Sequence, residues 1–198
     1  MKTRLEQMQD ALRPEFGDDL CDWMQKEYDR LCKEYANRPE SFQSHLHKNI
    51  FPVVVAFRGM MELGVERNLA AKKANDSFLS LMEDSKKMIQ NMLKIPGLYR
   101  CMPWLWKRLM PKMFSEDSGF RFHFYPCDSK QVKFDMTACP YHEMCKELDC
   151  IELAETFCAT DDMCYGNMHP KLIWNRTKTM ARGADVCDFD LYIDDKMK

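Results

Sequence analysis

The succession of local patterns predicts an α+β fold. A helical amino-terminal half packs on a small antiparallel sheet of about four strands, with two short helices inserted between two hairpins. Three observations predict it. Apolar residues recur at helical spacing up to Phe114, strict two-residue alternation begins after Ser115, and helical spacing returns between the two alternating pairs. The chain has 198 residues, of which 45% are hydrophobic and 30% charged, ample for a core. We read 1–198 as one domain, with 1–114 mainly helical and 115–198 carrying the sheet and its helices.

The first helix is expected over Asp18–Tyr35, where Leu20, Trp23, Met24, Leu31 and Tyr35 form one stripe and Pro39 lies beyond the end. Pro52 suits the first turn of a second helix, which Gly64 closes. A third helical stretch covers Val65–Leu93, broken near Asn75 and stopped by Pro96-Gly97. Leu98–Phe114 reads as a short helix with apolar surface. Phe120, Phe122 and Phe124 alternate with polar residues, as do Val132, Phe134 and Met136, so these segments predict a hairpin. Pro140–Leu148 and Ile151–Cys158 are the inserted helices. Leu172–Met180 and Val186–Ile193 are the second strand pair, joined by the turn Arg182-Gly183-Ala184-Asp185. The tail Asp194–Lys198 is expected to fray.

A formal charge of −2 argues against general nucleic-acid affinity. The longest apolar run, Ile50–Phe57, is too short to span a bilayer. The opening MKTRLEQMQD has no apolar signal region, so the expected compartment is the cytoplasm, with reduced thiols. The ten cysteines, seven of them between Cys127 and Cys187, therefore do not predict a disulfide framework. No CxxC occurs, so a zinc ribbon is not predicted either, and the expected metal and cofactor complement is none, with a metal or cluster site assembled from the distant Cys139, Cys158 and Cys187 as a lesser alternative reading.

Period-two alternation puts Cys187, Phe189, Leu191 and Ile193 on the apolar face of the last strand. Cys139 precedes Pro140 at a helix start, where the dipole lowers a thiol pKa, or where a cysteine merely fits. Cys158 closes the other inserted helix, so the three thiols are candidates to meet under the sheet. Arg176 and Lys178 share a predicted strand face with Leu172 and Trp174. They suggest a bound carboxylate, or ion pairs with Asp188 or Asp190. Asp161 and Asp162 follow Cys158 by one turn, as a general base or as solvated caps.

The run HPKLIWNRTKTMARGADVCDF (His169–Phe189) resembles the carboxy-terminal signature of the L-2-amino-thiazoline-4-carboxylic acid hydrolase family: R-T-x-T, a glycine turn, then C-D-F. The CPY at Cys139–Tyr141, the C-x-x-D at Cys158–Asp161, the helix FPVVVAFRGMMELG and the I-P-G at Ile95–Gly97 match in order, so the resemblance covers about 49–189. It implies a hydrolase that opens a small carboxylated cyclic amidine at a C–N bond, on a route to cysteine. Cys139 or Cys187 would be the nucleophile, or Asp161 the base that activates water. Arg176 or Lys178 would hold the carboxylate, with Cys158 and Trp174 beside the substrate. The expected partner is that small molecule, with no nucleic acid and no membrane; a homodimer is left open. The alternative is a non-enzymatic small-molecule or redox sensor, since the glycine turn and final-strand cysteine also faintly resemble V4R binding domains.

Overall fold

Helix α1 (Arg4–Glu34) begins well before Asp18. Thr3 and Glu6 form a reciprocal capping box, the Thr3 hydroxyl accepting from the Glu6 amide at 3.2 Å and the Glu6 carboxylate from the Thr3 amide at 2.6 Å. Pro14 and Gly17 interrupt the apolar stripe in sequence. In the computed structural model, which describes residues 2–196, Gly17 (φ 74°, ψ −169°) leaves the helical region and divides α1 into two arms that fold back on each other. The Gln9 side-chain amide donates to the Cys21 carbonyl at 3.0 Å. The helix expected from Asp18 is the second arm, and an arm over 4–16 precedes it.

The chain continues through α2 (Glu40–His45), a π-helical turn at Leu46–Ile50, and α3 (Phe51–Glu62). Pro52 has no N–H for the carbonyl four residues back, which favours the wider turn before it. Helix α3 lies close on α1, where a Cβ on Gly59 would come within 2.6 Å of Leu20 Cδ1. Helices α4 (Arg67–Ser80) and α5 (Glu83–Leu93) follow, and the break falls at Leu81-Met82 rather than near Asn75. The Asn75 side chain donates to Asp76 at 3.4 Å instead of competing for the backbone. A 3-10 turn at Leu98–Cys101 leads into α6 (Met102–Met113).

The second half supplies β1 (Arg121–Phe124), β2 (Gln131–Ala138), α7 (Pro140–Glu147), α8 (Ala154–Tyr165), β3 (Leu172–Asn175) and β4 (Cys187–Ile193). The sheet is antiparallel in the order β1-β2-β4-β3, so the two hairpins join through β2 and β4. Val132, Phe134 and Met136 oppose Leu191, Phe189 and Cys187, all buried on one face. The period-two reading of β4 thus describes its real faces.

Two local readings are corrected. Strand β3 stops at Asn175 and does not reach Met180, because the Asp188 carboxylate accepts from the Thr177 amide at 2.8 Å and the Thr177 hydroxyl at 2.6 Å. That side chain takes the place of a ladder partner and bends the chain. Helix α8 does not end at Cys158 but runs to Tyr165, which puts Cys158, Asp161 and Asp162 in mid-helix. The tail is held as far as it is described: the Asp194 amide donates to the Lys171 carbonyl at 3.0 Å and Lys130 pairs with Asp195 at 2.6 Å. Met197 and Lys198 lie outside the described residues.

Two apolar clusters form the core. One joins α1, α3 and α4 to α7 and α8; the other joins the inner sheet face to α6 and the end of α5. Tyr141 packs against both. Phe134 is fully buried and stacks on Phe189 at 4.8 Å between centroids. Phe134→Ala is expected to cost about 3–5 kcal/mol by denaturant unfolding; a loss under about 1 kcal/mol would contradict this packing.

Candidate active site

A cavity of about 180 Å³ lies where the sheet, α6, α7 and α8 meet. Its floor is the inner sheet face, with Met136, Cys187 and Phe189. Helix α8 presents Ala154, Phe157, Cys158, Asp161 and Tyr165, the i, i+3, i+4, i+7 and i+11 positions of one helical face. Helix α6 closes it with Trp106 and Met110, and the start of α7 brings Cys139, Tyr141 and His142.

Arg176 is the charged centre. Its side chain is 3% exposed. Nη1 donates to Asp161 at 3.1 Å, and Nη2 donates to the Cys158 carbonyl at 2.7 Å and pairs with Asp162 at 2.8 Å. The guanidinium lies 5.5 Å from the Phe189 ring centroid. The Asp161 side chain keeps 39% of its surface accessible, and that surface belongs to the cavity wall. Surrounded by protein atoms, its carboxyl is pushed up to about 6 by desolvation, against the pull of Arg176.

Of the seven residues singled out in the sequence, six line this cavity: Cys139, Cys158, Asp161, Trp174, Arg176 and Cys187. Lys178 does not. It is exposed, because β3 ends before it and the alternation that paired it with Arg176 is lost. Arg176 pairs with the acids of α8 and not with Asp188 or Asp190.

The thiols differ from the expectation for a helix start. Desolvation pushes Cys139 up to about 12, although the amides of His142 and Tyr141 favour its thiolate. Cys158 is likewise pushed up to about 12, and Cys187 is raised by burial even though the Met180 amide donates to its sulfur at 3.2 Å. Burial outweighs the amides at Cys139 and Cys187 and the charge of Arg176 at Cys158, so each is a neutral thiol at pH 7. Among the described residues, no three His, Cys, Asp or Glu side chains group as a metal site would need.

One polar line escaped the sequence reading. The Tyr141 hydroxyl accepts from Asn49 at 3.0 Å and lies 2.9 Å from Nδ1 of His45. Burial lowers the His45 pKa and favours its neutral ring, against a hydrogen bond to the Met113 backbone that favours the charged one. Asn49 reaches the cavity from the π-helical turn. The only available signal was the CPY motif, because these partners lie more than 90 residues apart in the chain.

Comparison with known proteins bears on this cavity in two ways. No curated protein matches the chain at a significant level. Among solved structures, the H-NOX domain from Shewanella oneidensis in its Fe(II)CO state is 12% identical, with 99% of this chain and 100% of that one covered and a TM-score of 0.36. The Fe(II) unliganded H-NOX protein from K. algicida is 10% identical, with 98% and 96% covered and a TM-score of 0.32. Likeness at that level supports no conclusion on fold or function. The L-2-amino-thiazoline-4-carboxylic acid hydrolase family model, in contrast, matches residues 43–191. That span holds every wall of the cavity, and the chain belongs to the L-2-amino-thiazoline-4-carboxylic acid hydrolase family.

Proposed function

We propose that the cavity opens a small carboxylated cyclic amidine, of the 2-amino-thiazoline-4-carboxylate type, at a C–N bond on a route to cysteine. The observation that carries this is one ionisable carboxyl, Asp161, held by a buried arginine inside a ring-sized space. A cavity of about 150 Å³ admits benzene, so about 180 Å³ takes one substituted five-membered ring. Trp174 and the thiols of Cys139, Cys158 and Cys187 supply apolar, polarisable wall for a ring that contains sulfur.

Asp161 acts as the general base. Ionised above about pH 6, it takes a proton from water as the oxygen adds to the ring carbon between sulfur and nitrogen. The C–N bond then breaks as the protonated Asp161 carboxyl returns that proton to the ring nitrogen, which leaves as an amine while the added oxygen passes its second proton to it through the same carboxylate. Tyr141, held by His45 and Asn49, walls the space beside the ring. The product is a carbamoylated cysteine. Arg176 positions Asp161. Asp162 is 48% exposed, and its departure frees Nη2 of Arg176 for the substrate's carboxylate. Neutral thiols are weak nucleophiles, which disfavours direct attack by Cys139 or Cys187.

Purified protein with the thiazoline carboxylate should release carbamoylated or free cysteine; binding without turnover from pH 6 to 9 would instead mark a non-enzymatic sensor of the V4R type. The base must be ionised, so kcat/KM should rise with pH through about 6 and then level off. A rate still climbing above pH 9 would point to a thiolate. Asp161→Asn should lower kcat by about 10²-fold or more, and Cys139→Ser and Cys187→Ser by less than about tenfold. The reverse order would return the nucleophile to a cysteine.

A further inference from the structure

Between Asp84 and Glu116 the chain has seven Lys and Arg and no Asp or Glu, in a protein of net charge −2. The remainder therefore carries −9. This segment forms α5, the 3-10 turn and α6. It also holds six of the ten large apolar side chains that stand exposed among the described residues: Met88, Met92, Ile95, Trp104, Leu109 and Met113. Trp104 is 55% exposed, with Arg108 over its ring at 5.3 Å.

Beside Trp104 lies an open hollow that adds Arg100, Lys130 and Lys171, with Asp195 as its one acid, paired to Lys130. Apolar and cationic side chains thus alternate from Lys86 to Lys112 with no acid between them; the two acids of α5, Glu83 and Asp84, stand in its first turn, where Glu83 pairs with Lys86 at 3.6 Å. Among the described residues no helix is long and apolar enough to cross a membrane, and this pattern is that of helices lying in a lipid interface.

We infer that α5–α6 is a docking surface for an anionic lipid bilayer, with Trp104, Met88, Met92 and Ile95 entering the headgroup layer and the cations facing lipid phosphates. A second copy of this chain fits less well. A two-fold contact on this surface would press its seven cations against the same seven of the other copy, whereas an anionic bilayer supplies the opposite charge across the whole face. This surface is the outside of the helix that lids the cavity, so a docked protein would hold the cavity beneath the bilayer. The inference does not depend on the reaction proposed above.

Its test is sedimentation of the full chain with vesicles of phosphatidylcholine alone or with 40% phosphatidylglycerol. Binding is expected to the anionic vesicles only, to fall as salt rises, and to weaken by roughly tenfold or more in Lys107→Gln/Arg108→Gln. Trp104→Ala should weaken it at every salt concentration. All three positions are exposed, so circular dichroism is expected to report an unchanged fold. Equal binding to neutral vesicles, no binding to either, or a dimer that Lys107→Gln/Arg108→Gln dissociates would overturn the inference.

Discussion

A guanidinium that is 3% exposed must find acceptors, and Arg176 finds three on one face of α8. Removing a charge from water costs several kcal/mol unless partners replace the hydration shell. Much of the local architecture follows from that constraint. Strand β3 has to end so that Arg176 can turn inward, and Asp188 ends it by capturing the Thr177 amide. Helix α8 has to continue past Cys158 so that both acids are offered on one turn. The pair also spans the two apolar clusters, because Arg176 follows the sheet and Asp161 belongs to the helix packed against the other side.

The same burial sets the chemistry of the groups around it. Water that would stabilise a thiolate is excluded from Cys139, Cys158 and Cys187, and a helix start or a single amide does not replace it. Asp161 feels the same exclusion, but Arg176 offsets it only in part, leaving a carboxyl near 6. One environment thus keeps three thiols protonated and raises one carboxyl. The sulfur atoms remain as polarisable wall of the cavity.

Local patterning carried the strands well. Phe134 and Phe189 lie on one buried face because side chains alternate whatever the tertiary context. It failed where a local signal was overruled at a distance. Lys178 looks like a partner of Arg176 but sits outside, since Asp188 bent the strand between them. Tyr141 was visible as part of a motif, but its partners His45 and Asn49 were not, because nothing local to either end encodes their meeting.

By itself, then, the sequence determined the α+β class, the alternation of β4, the family to which the motifs belong, and the short list of reactive side chains. Those depend on periodicities and residue types, which short-range sterics enforce. Tertiary structure alone decided the protonation of that list. Whether Cys139 is a thiolate or Asp161 a base depends on how much water and which charges surround it, and those come from α6, α8 and the sheet, remote in the chain. Only the fold, too, left the acid-free segment 85–115 facing outward with its tryptophan and methionines exposed, because burial is a property of the packed molecule.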